Sequence, residues 1–497
     1  MTVIQSVDWA VLAPAVIPAA AAVAVLLADL FVPPARKPLL GWLAAAALAL
    51  AALSLLPLRD GDRATFCQQE LCAYGADRFA LIVQLLVLGG ALLTALLSLP
   101  ELSRDDGGRL PAGEFWFLLL ASASGAALLP AARDLATLVI ALEVTTLPAY
   151  ALVALRRDGA GGEAAVKFFL SSVTATAVGL LGIGFVYATS GSLFFAAIAD
   201  GPLDPDPRLD TLAQAGVVLT LVAFAFKAAA VPFHFWVPET YAGAPVPVAA
   251  YLSVVGKTAG LAGLALVTAR AFPGHGDLWG PALAVLAGLT MTAGNAAALR
   301  ADPRAPHGAV RLLAWSSVGQ AGYLLVPLAA AGYADGPGDV SAAVGTTVAY
   351  ALMYGAVNLG AFAVAAHVER QRQAHRIEDY RGLYARQPLA ALAMAFFLLC
   401  LAGLPPGVIG LFAKLAVFES AVGAGLGVLA VVMAVNVAVA LVYYLRWTAL
   451  LFRGAGEAAA ERVPLPLGGA IGLAAGIAVV LSGAPQLVLT FASGTLL

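Results

Sequence analysis

Apolar runs of eighteen or more residues, the length a helix needs to cross a bilayer, recur along the whole of this chain. Of its 497 residues, 61% are hydrophobic and 11% charged, against about 25% charged in a soluble globular protein. The class this implies is an all-α polytopic membrane protein. Periodicity places fourteen segments at 8–32, 38–57, 76–99, 113–130, 134–155, 163–189, 211–235, 245–270, 278–299, 309–331, 340–368, 388–420, 423–452 and 467–492. No distinct soluble domain, Gly-rich nucleotide loop, iron–sulfur cysteine cluster or haem motif interrupts them. The expectation is therefore no redox cofactor and no metal on this chain. The formal net charge of −2 gives no sign of a nucleic-acid partner.

Basic residues order these segments across the membrane. The first segment lacks a basic n-region, and Arg36 and Lys37 follow it, so it reads as a retained helix whose N-terminus is outside. With that start, sixteen basic residues fall in inside connections: Arg36, Lys37, Arg104, Arg109, Arg156, Arg157, Arg300, Arg304, Arg311, Arg370, Arg372, Arg376, Arg381, Arg386, Arg453 and Arg462. Six fall outside: Arg59, Arg63, Arg78, Arg133, Arg208 and Arg270. The positive-inside rule then puts both termini outside. The outside loop after the sixth segment is acidic, with Asp200, Asp204, Asp206 and Asp210.

Two segments carry breaks. The seventh runs into Pro232 and Pro238, and the twelfth contains Leu404-Pro405-Pro406-Gly407. Proline removes a helix hydrogen bond and clashes with the preceding turn. At membrane depth such a break persists only where protein or water satisfies the freed backbone. The breaks are five segments apart, each with a lysine close by, Lys227 and Lys414. This pattern predicts two five-helix repeats, segments 4–8 (113–270) and 9–13 (278–452). A three-helix stretch (1–100) would precede them and a C-terminal helix (467–497) follow. The alternative for either site alone is a packing kink.

Four of the five lysines, Lys167, Lys227, Lys257 and Lys414, lie inside apolar segments. A charge at bilayer depth costs at least about 2.5–3.5 kcal/mol on insertion scales, so their accumulation points to a proton or charge path. Glu143, in the fifth segment, calls for a basic partner, and Lys227 is the best candidate. Such a pair is either a structural salt bridge or a switch whose opening changes the lysine's hold on its proton. Lys257 has no acidic neighbour in sequence, while Lys414 has Glu419 five residues on. A desolvated ammonium gives up its proton more readily, so both read as relay sites, with snorkelling to an interface as the alternative. Glu163 and Lys167 are one helical turn apart, a spacing that also serves plain helix support. His234, beside the first break, is either a relay or a satisfied core residue. His275, His307, His367 and His375 lack metal-ligand spacing. Arg446 reads as an interfacial anchor. Cys67 and Cys72 lie in an outside loop where pairing is open to them.

Several of these stretches resemble the antiporter-like membrane subunits of respiratory complex I. They are Glu163-Ala164-Ala165-Val166-Lys167-Phe168-Phe169, the run from Ala225-Phe226-Lys227 through Pro232-Phe233-His234-Phe235-Trp236-Val237-Pro238 to Pro247-Val248, Arg311-Leu312-Leu313-Ala314-Trp315-Ser316-Ser317, and Gly403-Leu404-Pro405-Pro406. Segments 4 to 13 carry the likeness. Tyr251-Leu252-Ser253-Val254-Val255-Gly256-Lys257 replaces the histidine-containing motif of the L, M and cation/proton antiporter subunits, and so resembles the N type. Val310 and Gln320 depart from the residues common there, a basic residue and a histidine.

The resemblance implies inverted repeats and a proton-translocating membrane-arm subunit of a bacterial NADH–quinone oxidoreductase in the plasma (inner) membrane. Glu143 and Lys227 would be the paired charges, Lys257 the central relay and Lys414 the exit-side lysine. Glu163, Lys167 and His234 would be auxiliary. NADH, FMN, iron–sulfur clusters and quinone would belong to partner subunits of a hetero-oligomer embedded in lipid. The competing readings are a sodium/proton antiporter subunit without a redox partner and an assembly scaffold. A scaffold gains nothing from charges at membrane depth.

Overall fold

The computed structural model describes residues 7–102, 110–201, 206–371, 376–454, 462–493 and 496. Arg104, Arg109, Asp204, Arg372 and His375 lie outside them. The chain opens with α1 (Trp9–Asp29) and α2 (Pro38–Leu53), then strands β1 (Arg63–Gln68) and β2 (Leu71–Ala76), then α3 (Arg78–Leu102). Next come α4 (Ala112–Leu128), α5 (Leu135–Ala154), α6 (Gly159–Ser190) and the short α7 (Phe195–Asp200). The first broken segment is α8 (Asp210–Lys227) with α9 (Trp236–Gly243). It is followed by α10 (Val246–Tyr251) and α11 (Lys257–Leu266), joined by a π turn at Leu252–Gly256. Then follow α12 (Gly276–Leu299), α13 (Gly308–Ala331), α14 (Pro337–Gln371) and the short α15 (Leu383–Arg386). The second broken segment is α16 (Pro388–Ala402) with α17 (Ile409–Gly423), before α18 (Gly427–Leu451), α19 (Leu465–Gly483) and α20 (Gln486–Ser493).

Among the described residues, thirteen helical spans are long and apolar enough to cross a membrane. The twelfth expected segment is the remaining one: its halves α16 and α17 have 15 residues each, too short to cross alone. Local chemistry sets the helix ends. Asp134 accepts from the Thr137 amide at 2.8 Å to start α5, and Asp158 accepts from the Gly161 amide at 2.6 Å to start α6. Such caps occupy otherwise orphaned N–H groups. Gly191, at φ 71°, ends α6 in the left-handed conformation that glycine adopts freely.

The hairpin is a departure from the outside loop expected between the second and third segments. β1 and β2 are antiparallel with Cys67 opposite Cys72, and the two sulfurs are bonded. Gln69 takes positive φ at the turn. Without the usual Asn-Gly or Asp-Gly pair, nothing in the sequence flagged it.

Packing ranks the helices. Nearly every residue in the apolar windows of the α11, α13 and α14 spans is buried, whereas only about a fifth of the α19 window is. Lys257, Ser317 and Tyr354 therefore sit at the centre of the bundle, on three different helices. The element order of α4 to α11 recurs in α12 to α18, with a broken helix fourth in each series.

Candidate functional site

Both breaks expose helix carbonyls, and the two are satisfied differently. Lys227 is the last residue of α8. Beyond it, Ala229 has positive φ and the Val231–Pro232 bond is cis. Three amides fold back onto α8: Ala228 onto the Phe224 oxygen at 2.8 Å, Ala230 onto Ala225 at 2.9 Å and Ala229 onto Phe226 at 3.0 Å. The Trp236 indole, from the far side of the break, also donates to the Phe226 oxygen at 3.1 Å. The helix end is thus closed without Lys227. Its ammonium is buried, has no hydrogen-bond partner among the described residues and lies 5.3 Å from the Phe168 ring centre. Phe168 in turn stacks on Trp236 at 4.5 Å.

At the second break, the chain turns through Gly403 and a cis Pro405–Pro406 bond. Here the lysine is on the far half. Lys414 Nζ reaches back and donates to the Leu401 and Ala402 oxygens, 2.8 Å each. A cation at a helix C-terminus is favoured by the unpaired carbonyls and the helix dipole together. Pro232, Pro405 and Pro406 lie in the gaps as expected. Pro238 does not; it lies in the first turn of α9, where a missing N–H costs nothing. Hydropathy placed the seventh segment's end at 235 because α9, with Pro238, Glu239 and Thr240, carries no apolar run.

Glu143 and Lys227 are not in direct contact. Among the described residues no ion pair joins them. The Glu143 carboxylate accepts from Thr176 Oγ1 on α6 at 2.7 Å. Gly260 holds the Lys227 end of α8 against α11. A Cβ there would sit 2.5 Å from the Ala228 nitrogen and 3.0 Å from Lys227 Cβ. Gly260 is three residues beyond Lys257, so this close approach brings the two lysine-bearing helices together.

From Lys257 a bonded chain runs onward. Its buried ammonium donates to the Ser317 backbone oxygen at 2.5 Å and also to Ser317 Oγ. The Tyr354 hydroxyl donates to the same Oγ at 2.9 Å. Tyr354 then walls a cavity of about 20 Å³ together with Tyr350, Gln320 and Lys414. That is room for one water, which needs about 10–15 Å³ and two or more polar neighbours. Tyr350 donates to Gln320 Oε1 at 2.5 Å, and the Tyr444 hydroxyl bonds Ser316 Oγ at 2.5 Å. Gln320 accepts from Tyr350 through Oε1 and donates through Nε2 to the Tyr444 hydroxyl at 3.4 Å. Asn358 donates to Ser253 Oγ at 2.7 Å beside the Lys257 turn.

The auxiliary residues stand apart. Glu163 and Lys167 pair at 2.5 Å with side chains 66% and 53% exposed, on the outside of α6. They face away from the central chain. His234 is half-buried against Trp315, ring centres 5.6 Å apart, and its Nδ1 has no partner among the described residues. Glu419 makes no ion pair with Lys414 among the described residues; it lines a separate cleft of about 670 Å³ with Asp335 and Asp339. The sequence singled out the lysines but missed Ser317, Tyr350 and Tyr354, because hydroxyls in apolar helices look like packing until three helices are assembled. Among the described residues no cluster of His, Cys, Asp and Glu has the makings of a metal site.

Comparison with known proteins decides the family. The family described as "NADH:quinone oxidoreductase/Mrp antiporter, TM" matches residues 132–440. NADH-quinone oxidoreductase subunit N 2 of Streptomyces griseus is 63% identical over 516 aligned residues, covering 100% of this chain and 95% of that protein. This chain belongs to the N-subunit family of NADH-quinone oxidoreductase. A chain of respiratory complex I from Thermus thermophilus with bound aureothin superposes with a TM-score of 0.77 at 33% identity, covering 97% of this chain and 100% of that one. A chain of the Mrp complex from Dietzia superposes with a TM-score of 0.82 at 21% identity, covering 98% and 97%. That second likeness establishes a shared fold only.

Proposed function

We propose that the chain, a proton-translocating membrane-arm subunit of complex I, carries protons along an axis of Glu143, Lys227, Lys257 and Lys414. The observation that carries this reading is the Lys257–Ser317–Tyr354 chain ending at a water-sized cavity that Lys414 also lines. A hydroxyl both donates and accepts, so once Tyr354 turns its O–H from Ser317 toward the cavity, Ser317 takes a proton from Lys257 while passing its own to Tyr354. Lys227 starts the axis with an ammonium held by no hydrogen bond. Movement of Glu143 between Thr176 and Lys227 changes the charge that Lys227 feels, which favours or disfavours its protonated form. Gly260 supplies the close approach over which Lys227 and Lys257 communicate.

Residues 113–270 and 278–452 act on this reading as two inverted repeats, one holding the charge switch and the other the outlet lysine. Residues 1–100 and 467–497 flank them. The partners are the other membrane subunits of the complex and the surrounding lipid. NADH, FMN, iron–sulfur clusters and quinone reside on other subunits. The exposed Glu163–Lys167 pair suits contact with a neighbouring subunit, because two charges facing hydrocarbon are unfavourable. The site is the bacterial plasma (inner) membrane, with both termini outside.

The test replaces Lys227 or Glu143 by alanine in the assembled complex and follows NADH-driven proton uptake in vesicles. Retained wild-type pumping with normal assembly removes the pair from the path. Sodium-dependent proton exchange in vesicles without NADH would instead favour the antiporter reading.

A further inference from the structure

At the hairpin end of the bundle lies a cavity of about 1230 Å³, well away from the lysine axis. Five arginines line it (Arg59, Arg63, Arg78, Arg133 and Arg270) against three acids, Asp62, Glu70 and Asp77. Asp77 is shared: Arg133 pairs with it at 2.6 Å, and Arg270 pairs with the same carboxylate oxygen. Arg133 is fixed further by the Gly75 and Ala132 oxygens, at 2.9 and 2.8 Å. Two guanidinium groups thus share one carboxylate, leaving a net positive floor, and the buried Arg270 Nε has no partner among the described residues. Arg63 is paired with Asp8. Arg59 and Arg78 are exposed and have no carboxylate partner among the described residues; Arg78 lies over the Phe491 ring at 5.8 Å.

Below the charges the wall turns apolar. Arg78 opens α3, and Leu81, Ile82 and Leu85 follow on its next two turns as further lining residues, with Phe491 beside them. These positions share one helix face, and at 1.5 Å per residue Arg78 and Leu85 are about 10 Å apart along the axis. Leu85 is half exposed. Positive charge over an apolar strip, in the direction of the bilayer normal, is the order of an amphiphile: anionic head above, hydrocarbon below.

We propose that this cavity seats an anionic phospholipid. Its phosphate lies among Arg78, Arg133, Arg270 and Arg59, and an acyl chain runs down Leu81, Ile82 and Leu85. The proposal does not depend on the proton path, since the cavity shares no residue with it. The charge complementarity is electrostatic and local: an arginine near an anionic lipid surface contributes about a fivefold gain in affinity.

The assembled complex, stripped of lipid in detergent, is offered vesicles of phosphatidylglycerol or of phosphatidylcholine, and retained phospholipid is counted by native mass spectrometry. The wild type is expected to retain phosphatidylglycerol in preference. Arg59→Ala/Arg78→Ala, which breaks no ion pair among the described residues, is expected to lower that preference roughly twenty-fivefold, from two contributions of about fivefold each. Leu85→Asp, on the apolar wall, is expected to weaken retention of the lipid while leaving binding of inorganic phosphate unchanged. Equal retention of both lipids by the wild type overturns the proposal. So does full displacement by millimolar inorganic phosphate, which would mark a phosphate site, or a thiol cross-link from Leu85→Cys to another subunit, which would mark a protein interface.

Discussion

Lys414 closes the helix that ends at Ala402: its ammonium lies 2.8 Å from the Ala402 carbonyl oxygen, across the break that separates them. A second bond, to Leu401, makes the lysine a structural cap as well as a member of the proposed proton axis. The two roles are separable. Removing the side chain leaves two buried carbonyls without donors, each costing about 1–3 kcal/mol. Lys414→Met is therefore expected to lower the thermal stability of the assembled complex and to abolish pumping. Lys414→Arg keeps donors for both carbonyls but cannot release a proton. It is expected to assemble near wild-type level while pumping falls about tenfold or more, the scale of a lost proton-transfer group. Normal pumping by the arginine variant would reduce Lys414 to a cap.

Tyr354 is the sole hydroxyl on the bonded chain that touches both Ser317 and the cavity shared with Lys414. Tyr354→Phe removes that hydroxyl and keeps the ring. Its expected result is unchanged subunit abundance with proton translocation reduced at least about tenfold. Ser317→Ala should act in the same direction and more severely on stability, since Lys257 loses one of its two bonds to that residue. The discriminating measurement is the ratio of protons moved to NADH oxidised, taken in vesicles with matched complex content. A ratio equal to wild type in Tyr354→Phe would route protons elsewhere.

Much of this was legible from the sequence, and the physics says which part. Lysines in apolar segments are conspicuous because charge in hydrocarbon is costly, so Lys227, Lys257 and Lys414 stood out, and all three are buried. Prolines declare breaks, although Pro238 turned out to begin a helix rather than interrupt one. The connecting atoms were not legible. Ser317, Tyr354 and Gln320 are individually ordinary in an apolar helix, and only the packing of α11, α13 and α14 puts them in line. The helical spacing of Glu163 and Lys167 was legible and holds as an i,i+4 pair, but that the face of α6 carrying them is exposed was not. Which side of a long amphipathic-poor helix faces the core is a tertiary property.

Gly410 marks how tightly the second break is packed. A Cβ built there would lie 1.7 Å from the Cys400 carbonyl oxygen. That neighbour is backbone of α16 and cannot swing aside. Gly410→Ala must move α17, and with it Lys414, one turn further along the same helix. Overpacking of this kind costs about 1–3 kcal/mol or more. The expected outcome is reduced assembly and, in whatever complex forms, pumping impaired as strongly as in Lys414→Arg. Gly423→Ala, with open space around its Cβ position, is the matched control on the same helix. Equal behaviour of the two variants would dissociate the close contact from the lysine's placement.

Thr176 is the test of the charge switch. Its hydroxyl donates to Glu143 at 2.7 Å, holding the carboxylate in α6's keeping while Lys227 stays without a hydrogen bond. Thr176→Val preserves shape and removes that donor. The carboxylate then loses a hydrogen bond of the charged type, about 1.5–3 kcal/mol, and its remaining attraction is to Lys227. The switch should shift toward the closed pair, so that Lys227 holds its proton more firmly and releases it more slowly. Pumping is expected to fall about tenfold or more, since 1.4 kcal/mol corresponds to a factor of ten. Thr176→Ser retains the hydroxyl and should restore most of it. The decisive comparison is Thr176→Val in a Glu143→Gln background. If Glu143 is the switch, the second substitution adds little to the first. If Thr176→Val impairs pumping equally with and without the carboxylate, the threonine acts through packing and the switch lies elsewhere.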